Sequence, residues 1–104
     1  MSAKTIAYAS IEYNGGLPRV AQGMNIASII DHGPGELEVV FERPISHGHI
    51  PWITTFNNPV YVDHEPSDFD GQEIGSLLFT IKACLDGKPT DSNINILILG
   101  SNDG

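Results

Sequence analysis

The chain lacks most of what would mark it as an enzyme, an exported protein or a nucleic-acid binder. Cysteine occurs once in 104 residues, at Cys84, so no internal disulfide can form. Cys84 stands in an apolar run and is expected to be a small core residue rather than a nucleophile. Basic residues are few: five Lys and Arg face thirteen Asp and Glu, for a net charge of −8. That balance argues against nucleic acid, which needs a basic footprint, and against an anionic membrane surface. Its simplest role is solubility through self-repulsion. No apolar stretch nears the roughly 18 residues that a membrane helix requires. The opening "MSAKTIAYAS" has no apolar h-region, so it is not read as a signal peptide and folding in a cytoplasm is expected.

Helix-compatible sequence is also scarce. Eleven Gly and seven Pro cut the chain into pieces mostly too short for a stable helix. The pieces are rich in Ile, Val, Thr and aromatics and alternate at period two, the signature of strands with one buried face. Strands are expected over 5–13, 19–31 (with a bulge or bend near Gly23), 36–42, 49–56, 59–63, 76–85 and 93–99. Leu77, Phe79, Ile81, Ala83 and Leu85 form one apolar row; Leu37, Val39 and Phe41 form another. Ile94, Ile96 and Ile98 form a third, and Leu97 and Leu99 on the opposite side of that closing strand point to burial on both faces or to an interface. The acidic segment "HEPSDFDGQE" reads as a loop. These elements predict one all-β domain over residues 1–104, an antiparallel β-sandwich of about seven short strands, with ragged ends at about 1–4 and 101–104.

Groups that bear chemistry are present but poorly arranged for it. His47, His49 and His64 lack the Cys pair or helical spacing of a zinc site, and the loop of His47 and His49 is read as exposed. Asp63, Glu65, Asp68, Asp70 and Glu73 echo a calcium loop without its twelve-residue frame. Ser46 beside His47 has no nucleophile elbow around it. Glu36, Glu38 and Glu42 with Asp31 could imitate a glycosidase pair, but are more simply the wet side of a hairpin. No catalytic residue, cofactor or metal is therefore expected. Trp52, with Phe56 and Tyr61, has three readings: core, subunit interface, or a platform for stacking sugars.

The clearest local signal is "NIASIIDHGPGELEVVFERP" at 25–44, two apolar-rich runs around "DHGPG". Asp31 can accept hydrogen bonds from the amides that follow, Gly33 and Gly35 can take positive φ, and Pro34 stiffens the turn. A second turn, "DGKPTDS", precedes the last strand and carries Pro89 and Asp91.

Asn25 to Phe41, together with "AYASIEYNG" near the start and "DGKPTDSNINILILG" near the end, resembles a pattern of bacteriophage virion proteins. The pattern is found at the ends of tail-fibre proteins and in small stand-alone particle proteins, and the likeness runs over about residues 7–100. His32 and Glu36 depart from it, as does the acidic 63–73 segment. The shared motifs are turns and core positions. The resemblance implies a non-enzymatic virion structural protein, assembled in the host cytoplasm. A capsid decoration or cement role on the particle exterior leads; a tail-fibre or tail-tip role in binding a host-surface glycan is the alternative. The expected partners are the major capsid protein or tail proteins. A homo-oligomer, a trimer by the likeness, is expected too, with Trp52, Leu97 and Leu99 as interface candidates.

Overall fold

A computed structural model describes residues 3–46, 48–55, 59–71 and 73–101. It is an antiparallel β-sandwich of eight strands, as the alternation requires. The strands are β1 (Ala3–Asn14), β2 (Leu17–Met24), β3 (Ile26–Gly33), β4 (Glu36–Ser46), β5 (Ile50–Thr55), β6 (Val60–Asp70), β7 (Glu73–Ala83) and β8 (Ile94–Ser101). They form two four-stranded sheets, ordered β2-β1-β8-β5 and β3-β4-β7-β6. The buried apolar residues come from the four central strands. Ala7, Ala9 and Ile11 of β1 and Ile94, Ile96 and Ile98 of β8 line the inner face of one sheet. Leu37, Val39, Phe41 and Ile45 of β4 and Ile74, Leu77, Phe79 and Ile81 of β7 line that of the other. Edge strands bury less, and three of the four carry a proline (Pro18, Pro51, Pro66), which a central ladder would reject.

Several expectations need correction. The 19–31 stretch is two strands, broken at Asn25, which takes φ +62° and sends the chain from one sheet to the other. Its side-chain amide donates to the carbonyls of Ile6 (3.2 Å) and Arg43 (3.0 Å) and accepts the Arg43 N–H (2.7 Å). The Asn25 carbonyl accepts from Glu42 N–H at 3.2 Å. These bonds serve β4 where its pairing with β7 lapses, between Val40 and Ile45, so Pro44 is tolerated there.

The acidic stretch is not a loop but most of β6, paired along β7 from Val60↔Ala83 to Asp70↔Glu73 and turning at Gly71. Beyond Val62 its side chains are exposed on both sides because it is an edge strand, so it shows no alternation to read. The 76–85 row ends early. β7 stops at Ala83, Cys84 is exposed rather than core, and Leu85 is 94% exposed in a turn that Gly87 completes at φ +71°. Ala3, Lys4 and Ser101, expected within ragged ends, are paired: Ala3 and Lys4 of β1 with Ser101 and Gly100 of β8; residues 1–2 and 102–104 lie outside the described residues. The "DHGPG" loop is tighter than five residues, since β3 runs through Gly33 and β4 begins at Glu36.

Candidate docking face

The outer face of the β2-β1-β8-β5 sheet is built by parity and register together. Because inner residues of β1 and β8 are Ala7, Ala9, Ile94, Ile96 and Ile98, the residues between them must point outward. Cross-strand pairing then aligns them in rows. Met24 pairs with Tyr8, Tyr8 with Leu97, and Leu97 with Trp52, so one apolar row crosses all four strands. On one side lies a second apolar row, where Leu99 pairs with Ile50 and with Thr5. On the other lies a neutral polar row of Gln22, Ser10, Asn95 and Thr54. Trp52 is 60% exposed and Ile50 57%, while Leu97 and Leu99 are half-buried between their neighbours.

A shallow groove of about 540 Å³ runs beside Trp52, lined by Tyr8, Gln22, Asn95 and Leu97 among others. No acidic or basic side chain stands in these three rows. Beyond the polar row stands Glu12, held by Arg19 at 2.9 Å on the paired strand, and at the other margin Lys4 and Arg43 line a hollow with Thr5 and Met24. Exposed aromatic and aliphatic side chains side by side are costly in water and characteristic of surfaces that bind.

The three interface candidates, Trp52, Leu97 and Leu99, thus share one face. Tyr8, Met24 and Ile50 complete it, and sequence reasoning missed them. Alternation alone places Tyr8 outward, but only the register shows which strands it neighbours.

The turn residues lie elsewhere, at one end of the sandwich, where two loops meet. The Gly33 N–H donates to Asp31 Oδ1 at 3.1 Å, closing a local turn. The Gly35 N–H donates to Asp91 Oδ1 at 2.9 Å, and the Ile81 N–H donates to the Gly35 carbonyl at 2.7 Å. Pro89 bridges to Lys82, which lays the 87–92 turn against β7. Gly35 takes φ +70°, and an added Cβ would strike the Ile81 carbonyl and approach Thr90 N to 2.6 Å. Nearby, the Asn93 side chain accepts the Tyr13 N–H at 2.7 Å, just past the last β1–β8 pair, Ile11↔Ile94. The Tyr13 hydroxyl is buried and has no hydrogen-bond partner among the described residues. Burial first, then the charges of Asp91 and Asp31, push its pKa up to about 12.

The opposite outer face, on β3-β4-β7-β6, is acidic. Glu36, Glu38, Asp63 and Glu65 fall in adjacent rows across β4, β7 and β6. Glu38 accepts a hydrogen bond from Ser76 Oγ at 2.6 Å and meets His32 Nε2 at 2.8 Å; chiefly the Ser76 bond, then His32, holds its carboxyl below the ordinary range. A carboxylate so engaged is part of the sheet surface, not a poised acid. Lys82 reaches Asp63 at 3.7 Å. The acids Asp68 and Asp70 lie along β6, and among the described residues no group of three or more His, Cys, Asp or Glu is placed to hold a metal ion.

His49 and His64 stand edge to face with ring centroids 6.2 Å apart, and His64 lies over Phe79. Burial first, then His49, lowers the His64 pKa. His47 and Phe56 lie outside the described residues. No protein-family model, curated protein or solved structure matches the chain.

Proposed function

We propose that this is a non-enzymatic structural protein of a bacteriophage particle, an accessory decoration or cement subunit that acts by packing its neutral sheet face against neighbouring protein. One observation carries the docking mode: the continuous row Met24–Tyr8–Leu97–Trp52, free of charge on a chain of net charge −8. Such a face gains by being covered, since each large apolar side chain removed from water contributes about 1.5–3 kcal/mol. The placement in a phage particle rests on the sequence likeness of the turn motifs. The test mixes purified protein with phage shells that lack it. Co-sedimentation and a raised shell melting temperature are expected, with both lost in Leu97→Ser and Trp52→Ser. Shells that neither bind the protein nor melt higher would refute the role.

A second reading is favoured by the polar row. Gln22, Ser10, Asn95 and Thr54 set amides and hydroxyls beside Trp52, the lining that suits a neutral sugar. A tail-fibre or tail-tip component would then bind host-surface glycan in this groove. Glycan-array binding that disappears in Trp52→Ala, with no affinity for shells, would select it.

A further inference from the structure

We infer that the occupant of the neutral face is a second copy of this chain, packed face to face about a two-fold axis running along the strands between β1 and β8. The inference rests on the docking reading above and names its partner.

Charge restricts where two copies can meet. At −8 per chain, contacts through the β3-β4-β7-β6 face would set Glu36, Glu38 and Glu65 of one copy against the same acids of the other, with Asp63 offset by Lys82. The β2-β1-β8-β5 face offers three adjacent rows without an acidic or basic group, and the Glu12–Arg19 pair beside them is internally neutralised. Self-association is least opposed there.

Geometry then selects the axis. A two-fold along the strands turns the apolar row upon itself in reverse order. Trp52 at the β5 edge then falls opposite Met24 at the β2 edge, and Leu97 falls opposite Tyr8. The two tryptophans go to opposite margins, each over the β2–β1 side of the other copy's groove, where Tyr8 and Gln22 line it. An axis along the row would stack Trp52 on Trp52 and leave both grooves unfilled. Residues exchanging partners across one patch is what an isologous contact requires, and sheets packed about 10 Å apart interdigitate their facing side chains in this way.

The area suits a weak dimer. The eleven outward residues of the three rows, each covering two residues' rise of about 3.3 Å at a strand spacing of about 4.8 Å, give a footprint of roughly 350 Å² before side-chain relief is counted. With that relief the face stays near or below the roughly 600 Å² per partner of specific interfaces, which favours weak, high-micromolar affinity.

The chain carries one tryptophan, and it stands in the proposed contact, so the wild-type protein reports on itself. Sedimentation equilibrium from low micromolar to millimolar protein should show the mass rise from 11.2 kDa to twice that value. Trp52 emission should move to shorter wavelength in step with the mass, and added salt should strengthen association by screening the like net charges. Leu97→Glu and Trp52→Glu should each abolish the dimer with the β circular-dichroism spectrum retained.

A monomer at millimolar concentration overturns the inference. So does a trimer, or an oligomer whose Trp52 emission stays that of a solvated indole. For variants that fail to fold, the wild-type emission and mass together still decide. A monomer that binds shells, and loses them in Leu97→Ser, overturns the second copy and leaves the docking role standing. A dimer with the expected emission shift but no affinity for shells supports the second copy and overturns the particle role.

Discussion

Gly35→Ala should be among the most damaging single-methyl additions in the chain. Gly35 has φ +70°, and placing an L side chain in that region costs about 1–2 kcal/mol. The new methyl also meets backbone on two sides, the Ile81 carbonyl and the Thr90 nitrogen, with the Pro89 carbonyl carbon at 3.1 Å. Backbone cannot rotate away as a side chain can, so β7 and the 87–92 turn must shift. Overpacking of this sort costs about 1–3 kcal/mol. The shift strains two hydrogen bonds that fasten the loops, Gly35 N–H to Asp91 and Ile81 N–H to Gly35.

The sum is about 2–5 kcal/mol, a large part of the roughly 5–15 kcal/mol that holds a domain together. Gly15→Ala is the control. Gly15 has φ +66° in the β1–β2 turn but open space around its missing Cβ, so it should cost only the backbone term, about 1–2 kcal/mol. Urea unfolding followed by Trp52 emission and circular dichroism measures both. Equal losses, within about 0.5 kcal/mol, would show that the Gly35 contacts do not resist a methyl and would refute the reasoning.

Three further outcomes are expected. Asn25→Gly should lose about 2 kcal/mol in urea melts by removing three side-chain hydrogen bonds, and Asn25→Ala about 1 kcal/mol more because Ala must also hold φ +62°; equal losses would exclude the backbone contribution. Tyr13→Phe should stabilise by about 1 kcal/mol in the same assay, because it deletes a buried hydroxyl that has no partner among the described residues. It should also remove an alkaline limb: with the folded pKa raised to about 12, stability is full below the ordinary value of 10.0 and falls as pH rises from there toward 12. On the acid side, His64 and Glu38 act in the same direction. The His64 pKa is lowered, so the unfolded chain takes up the proton first and stability falls as pH drops below 6.5. The Glu38 pKa is also lowered, so its contribution is full above 4.5 and is lost as pH falls through the folded value. Thermal melts across pH should show His64→Gln flattening the upper step and Glu38→Gln the lower, and unchanged profiles would contradict both assignments.

Alternation made the core legible because it reports which side of a pleat is dry. Ile94, Ile96 and Ile98, like Leu37, Val39 and Phe41, are buried in the order their spacing requires. It could not show where a strand ends. The row through Leu77, Phe79 and Ile81 continues on paper to Leu85, yet Gly87 at φ +71° turns the chain first and leaves Leu85 in water. Nor could it show a strand that is wet on both sides. β6 exists because β7 is a central strand whose second edge needs a hydrogen-bonding partner, and the polar run from Asp63 to Asp70 supplies backbone for that purpose whatever its side chains are.

The docking face appears in sequence only in part, for a related reason. Leu97 and Leu99 stand out on the closing strand and Trp52 by its type, but β1 and β2 contribute one outward apolar residue each, Tyr8 and Met24, too few to stand out in a single segment. Tyr8, Met24, Leu97 and Trp52 are separated along the chain and become neighbours only when four registers agree. A one-residue slip in β5 would place Trp52 over the core and Pro51 or Ile53 outside, since side chains alternate between faces. The Trp52↔Leu97 pairing is therefore the contact on which the face depends most. It also makes a sharper test than hydrophobicity alone. A disulfide between Thr54→Cys and Asn95→Cys, which are paired one row along on the same outward side, should form readily only in this register. If it fails to form under mild oxidation while the folded β spectrum persists, the rows are not aligned and the neutral face is not continuous.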